Sequence, residues 1–215
     1  MLDDTRKLHA YIILSSIFIG CYCIAPLIAM KPLDMGFAIA PAGVLTYSIL
    51  FPCTDIITEV YGKKMARLTV IGGLIAILVI ALATQIALIL PAPDFWENEE
   101  SFNQVFGFSW RVFLGSLVGY SAQFIDVYLF DFVGKLTKGR FLWLRNNVST
   151  LTSQLVSTAL FVTIAFYGVY ETQHIISLIL TSMFVRLVFA FSDTPIVYAS
   201  IWLIYRYNGE KRTWK

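Results

Sequence analysis

Asp55 and Glu59 stand four residues apart in FPCTDIITEVYGKK, Phe51 to Lys64, at the end of an apolar run. On a helix that spacing stacks both carboxylates on one face. Gln123 and Asp126, three apart in SAQFIDVYLFDFVGK, share a face in the same way. Asn147 and Gln154 follow in LRNNVSTLTSQLVST, and Arg186 and Asp193 in MFVRLVFAFSDTPIVY. A carboxylate accepts two parallel donors, and an amide side chain supplies both a donor and an acceptor. These groups suit ligand recognition. Bond-breaking motifs are absent: the chain has no G-x-x-x-x-G-K-[ST], no H-E-x-x-H and no G-x-S-x-G. His9 and His174 are far apart in sequence, so neither a metal site nor catalysis is expected, and no cofactor.

The elements that must position these residues are membrane helices. Of the 215 residues 58% are hydrophobic and only 14% charged, and mean hydropathy is +0.72. A soluble domain carries about a quarter charged residues. The runs Tyr11–Met30 and Leu68–Leu90 carry no charge, and each has about the ~20 residues that cross a bilayer core. The expectation is one all-α transmembrane domain over 1–215, with six spans near 8–30, 37–61, 67–90, 109–133, 147–170 and 175–206. With the N-terminus inside, thirteen of the sixteen Lys and Arg fall on inner segments, Arg145 among them. That asymmetry predicts cytoplasmic termini. The first apolar run is too long for a cleaved signal and reads as the first helix. Cys21, Cys23 and Cys53 lie inside spans and are expected to pack rather than pair. The acidic segment PAPDFWENEESFNQVFGFS, between spans three and four, is expected to rest its aromatic rings on the outer interface.

Depth sorts the polar residues. At ~1.5 Å per residue, Asp55 lies ~12 Å inward of Lys63, and Asp126 ~13 Å inward of Lys135. Glu59 and Asp131 fall near the inner surface, where exposure to headgroups or water is cheap. Asp55, Gln123, Asp126, Gln154, Arg186 and Asp193 meet deeper, between spans two, four, five and six. One reading is a polar network that holds helices together, aided by the stripe of Gly115, Ser116, Gly119, Ala122 and Gln123. Ser116, Ser153, Ser157 and Thr158 fit that reading. The acids do not: Asp55, Asp126 and Asp193 face one deep base, Arg186. Some are protonated, or they line a wet cavity, or a ligand supplies donors. Such a cluster at membrane depth marks a substrate or ion pathway.

In order along the chain, CTDIITEVYGKK, SAQFIDVYLFDFVGK, LRNNVSTLTSQLVST and MFVRLVFAFSDTPIVY resemble the motifs of the queuosine precursor transporters, also called the VUT family. Asp55, Glu59, Gln123, Asp126, Arg145, Asn147, Ser149, Thr150, Gln154, Arg186, Asp193 and Pro195 fall on the family pattern. Ser157-Thr158 departs from it, because many members have an acid before that threonine. The resemblance implies a six-helix inner-membrane importer of 7-deazaguanine bases, the cyano or aminomethyl forms or queuine, used for tRNA modification. It also implies a fold like that of energy-coupling-factor substrate-binding subunits. The implied site is Asp55, Gln123, Asp126, Asn147, Gln154, Arg186 and Asp193, with Glu59 at a gate or exit. Tyr47, Phe51, Phe124, Phe161 and Phe189 would wall a flat ring. The partners are a small heterocycle and the lipid bilayer, not nucleic acid; a homodimer and a separate energising module stay open. The alternatives are an energy-coupling-factor subunit for another vitamin-like heterocycle, or a structural membrane protein.

Overall fold

The computed structural model describes residues 2–29, 31–34, 39–107, 110–168 and 171–207. They are almost entirely helical. Six long helices, α1 (Leu2–Ile28), α2 (Val44–Tyr61), α3 (Lys63–Ile89), α5 (Trp110–Leu136), α6 (Leu142–Phe166) and α7 (Thr172–Tyr207), are accompanied by a short one, α4 (Glu99–Phe106). Two strands, β1 (Pro32–Asp34) and β2 (Ile39–Pro41), pair antiparallel with Leu33 opposite Ala40. Hydropathy alone starts a helix near 37. The structure starts it at Val44, because Ile39–Pro41 pairs with Pro32–Asp34 and Pro41 has no N–H to give a helix.

Local chemistry sets the junctions. Gly43 enters α2 against the end of α1, where a Cβ would stand 2.8 Å from the Ala25 carbonyl and 2.9 Å from the Ala29 methyl. Gly62 alone separates α2 from α3, at φ 85°, and its N–H closes α2 on the Thr58 carbonyl at 3.0 Å. A side chain rarely adopts that backbone region. Within α2, Pro52 removes one helical donor. In the acidic segment, Glu99 and Glu100 occupy the first turn of α4, where the helix dipole favours them. Along that segment Trp96 meets Phe102 in a T-shaped contact at 5.7 Å, and Phe102 meets Phe106 at a tilt at 4.8 Å.

The helix α2 lies at the centre of the bundle. On one side Leu50, Phe51, Cys53 and Ile57 pack with Phe18 and Tyr22 of α1, Val70 and Ile77 of α3 and Val127 of α5. On the other, Ile56 packs with Phe130 of α5, Leu142 of α6, and Val197 and Ile201 of α7. The helices α5 and α6 lie against each other along most of their length.

Outside and inside are inverted relative to a protein in water. Ile13, Ile75, Val79, Leu82, Leu180 and Leu203 are all more than half exposed, while Thr54, Asp55, Gln123, Asp126, Ser149, Thr150, Ser153 and Thr158 are buried. Apolar side chains standing outward on every flank need an apolar solvent. Thr5–Ile28 and Lys63–Ile89 are long and apolar enough to cross a membrane by that criterion alone. Among the described residues, Thr172–Val185 of α7 is a shorter apolar stretch.

Candidate functional site

The deepest polar cluster is built on Asp126. Its carboxyl is fully buried. Oδ1 accepts a hydrogen bond from Ser153 Oγ of α6 at 3.0 Å, and Oδ2 accepts one from Thr54 Oγ1 of α2 at 3.1 Å. The same Thr54 hydroxyl stands 3.4 Å from Gln123 Oε1. Asp55, also fully buried, is the neighbour of Thr54 on α2. Three helices thus converge on a pair of acids.

The expected residues divide into two groups. Asp55, Gln123 and Asp126 come together, and Thr54 and Ser153 join them. Ser153, expected to pack, also stands at the acid: its hydroxyl is shared between Asp126 Oδ1 at 3.0 Å and the Ser149 carbonyl of its own helix at 2.5 Å. Asn147 and Gln154 lie elsewhere on α6. Asn147 Nδ2 donates to the Trp143 carbonyl at 2.7 Å and to Thr194 Oγ1 of α7 at 3.1 Å. Gln154 is buried and borders a cavity of about 280 Å³ between α6 and α7, with Leu151, Leu155, Met183 and Leu187. The aromatic walls divide too. Phe51 belongs to the core beside α1 and α3, and Phe161 to a separate cluster with Ala29, Val162 and Ile175. The side chains of Tyr47, Gly115, Ser116, Gly119, Arg186, Phe189 and Asp193 lie outside the described residues.

Below the acid pair, one turn along α2, Glu59 is not at an exposed depth. Its Oε2 meets Arg145 Nη2 at 2.6 Å, with side chains only 11% and 9% exposed. The Arg145 guanidinium also lies 4.3 Å over the Phe130 ring. A Cβ on Gly134 would come within 2.8 Å of Arg145 Nε, so glycine there makes room for the base. Arg145 is therefore not an inner-loop charge: it stands in the first turn of α6, buried, and the loop tally loses it. The physical reason is pairing, since a buried guanidinium is tolerable only beside an acid.

Further toward that end of α2, Asp131 joins Lys135 at 2.8 Å and Lys63 at 3.3 Å, and Lys63 covers the Tyr128 ring at 4.1 Å. This cluster is partly exposed, as expected for Asp131. The three levels form a column along α2, α5 and α6. It runs from the acid pair, through the Glu59–Arg145 ion pair, to a basic rim.

Several buried oxygens have no hydrogen-bond partner: Asn147 Oδ1, Thr150 Oγ1, Gln154 Oε1 and Thr158 Oγ1 on α6, and Ser182 Oγ on α7. Each such group costs ~1–3 kcal/mol in a dry interior. A site that receives a polar ligand carries that cost until the ligand arrives.

A helical bundle with apolar flanks suits a membrane protein, and a buried carboxyl at its centre marks a candidate substrate site. Residues 41–200 match the family described as "Putative vitamin uptake transporter", and the chain belongs to it. The chain is also 29% identical over 178 residues to the "Probable queuosine precursor transporter" of Bacillus subtilis (strain 168), covering 82% of this chain and 78% of that protein. No solved structure matches. The protein is a membrane transporter of a small molecule, not an enzyme.

Proposed function

We propose that this transporter imports queuosine precursors, 7-deazaguanine bases, across the inner membrane through six spanning helices with both termini cytoplasmic. The observation that carries the reading is the Asp126 cluster: a buried carboxyl held by Thr54 and Ser153, with the buried Asp55 next to Thr54. A deazaguanine edge offers an N–H and an NH₂ side by side, which a carboxylate accepts as a parallel pair. Gln123 supplies an amide beside it for the ring carbonyl. An aminomethyl substituent brings a positive charge that offsets the second acid. The relative in Bacillus subtilis supports the same substrate class by its name.

In this reading Asp126 and Asp55 hold the base, and the Glu59–Arg145 pair lies on the path from the site to the cytoplasm. Asn147, Gln154, Arg186 and Asp193 complete the substrate-binding set. The chain acts as one transmembrane domain, with no resident cofactor. The test is uptake. The gene is expressed in a strain that lacks its own importer and cannot make the precursor. Queuosine in tRNA is then measured at low external precursor. Restoration is expected, and its loss with Asp126→Ala. No restoration by wild-type protein present in the membrane overturns the reading.

A further inference from the structure

At the end of the bundle where α1 stops, charge is lopsided. The segments 31–41 and 91–109 hold five acids, Asp34, Asp94, Glu97, Glu99 and Glu100, and one base, Lys31. Lys31 is exposed, and its backbone is pinned at the foot of the hairpin. Its N–H donates to the Ile28 carbonyl at 3.1 Å, and its carbonyl accepts from the Ala42 N–H at 2.8 Å. A groove of about 420 Å³ opens beside it, within the size range of small-molecule sites. Leu27 and Ile28 of α1, Lys31, Ala42, and Gln104 and Val105 of α4 line it. Phe102, Val105 and Phe106 share one face of α4 by their spacing, as in a helix that lies in a membrane interface. One turn back from the groove, Glu100 Oε1 accepts a hydrogen bond from Gln104 Nε2 at 3.4 Å. No residue of α4 is buried. Its apolar face therefore lacks a full protein partner on the side that looks toward α1.

We propose that this groove seats one phospholipid, and that it selects a head group carrying both a phosphate and a primary ammonium, that of phosphatidylethanolamine. The apolar lining from Leu27, Ile28, Ala42 and Val105 suits an acyl chain and gives the polar edge of a heterocycle nothing to pair with. Lys31 extends its ammonium from the apolar end of α1 to the head-group level, where it meets the phosphate. Glu100, beside Gln104 on the facing wall, accepts from the lipid ammonium. Charge complementarity separates this head group from others. An anionic one, such as phosphatidylglycerol, meets five acids with a single base to hold it. A choline head group carries the positive charge but has no N–H to donate. The seated lipid fills the space between α1 and α4 and fixes α4 to the foot of the hairpin. This inference goes beyond the transport reading and does not depend on the substrate.

The test measures binding of three lipids with identical acyl chains to the purified full chain in detergent: phosphatidylethanolamine, phosphatidylcholine and phosphatidylglycerol. Retained lipid is read by native mass spectrometry, and melting temperature is followed alongside. Wild type is expected to bind phosphatidylethanolamine about fivefold more tightly than either of the others, the scale of one or two exposed charge pairs. Lys31→Gln and Glu100→Gln should each bring it within about twofold of phosphatidylcholine. Val105→Trp fills the groove, keeps both charges, and should lower retention of all three lipids. Lys138→Gln, an exposed base in the loop before α6, should leave the preference unchanged. Equal binding of the three lipids by wild type overturns the proposal, as does tightest binding of phosphatidylglycerol. A preference for phosphatidylethanolamine that survives both Lys31→Gln and Glu100→Gln overturns it too, as does retention unchanged by Val105→Trp. Loss of folding in Lys31→Gln or Glu100→Gln overturns it as well, because these exposed charges then serve the protein and not a lipid. None of these outcomes touches the deazaguanine reading.

Discussion

Gly134→Ala is expected to destabilise the protein by acting on a residue of another helix. A methyl at that position stands 2.8 Å from Arg145 Nε, 2.9 Å from Cζ and 3.0 Å from Nη2. Ordinary contacts begin near 3.4 Å, so the guanidinium must retreat. It has little room, lying 4.3 Å over Phe130 with Glu59 at 2.6 Å. Overpacking of this kind costs ~1–3 kcal/mol, and a fully broken buried ion pair ~3–5 kcal/mol. A displaced but unbroken pair falls between, at ~2 kcal/mol, or about 4–8 °C in melting temperature for a chain of this size. Hydrogen bonds within membrane bundles average only ~0.6 kcal/mol, so a neutral contact would not produce such a loss. The assay is a double-mutant cycle on melting in detergent, with Gly134→Ala, Glu59→Gln and the pair. Because both act on Arg145, the double variant should lose clearly less than the sum. Additive losses, or Gly134→Ala within a degree of wild type, refute the argument.

Asp126→Ala should weaken precursor binding at least tenfold, read as lost ligand-induced thermal stabilisation, since each unpaired ligand donor costs ~1–3 kcal/mol. Glu59→Gln should change binding far less than transport, because Glu59 meets Arg145 and not the acid pair; strong loss of binding with Glu59→Gln alone would place the site a turn lower. A cysteine introduced near Glu99 should react with an impermeant thiol reagent from outside intact cells and one near Lys138 should not, with the reverse pattern overturning the orientation. Gly73→Val should lower the melting temperature by several degrees, because a Cβ already meets Phe18 at 3.0 Å and Tyr22 at 3.3 Å and two further methyls cannot fit.

The long helices were legible because hydropathy over twenty residues integrates many side chains. The hairpin before α2 was not, since apolar strand residues and apolar helix residues give the same hydropathy. Among the site residues, Asp55, Gln123 and Asp126 stood out by chemistry, as buried acids and amides do at membrane depth. Asn147 and Gln154 looked equally suitable, but their depth along α6 carries no information on which neighbour each one faces. Arg145 was misread for a related reason. Four residues from Phe141, beside a basic turn, it reads as an interfacial charge until Glu59, Phe130 and Gly134 are seen around it. Ser153 shows the converse, because a small hydroxyl residue on a membrane helix signals close packing until an acid is found at 3.0 Å.

The residues of α2 that face the site lie in a short stretch between two breaks in backbone regularity. Pro52 withholds the hydrogen bond that would tie this stretch to the preceding turns, and Gly62 turns the chain at φ 85° into α3. Between them Thr54, Asp55 and Glu59 share one stretch of nine residues. Tilting that stretch moves the hydroxyl that holds Asp126, the acid beside it and the partner of Arg145 in one stroke. Their counterparts Asp126, Ser153 and Arg145 sit on α5 and α6, whose interiors contain no proline. A tilt of that stretch would therefore move both levels of the column together, because Thr54 and Glu59 stand on the same helix.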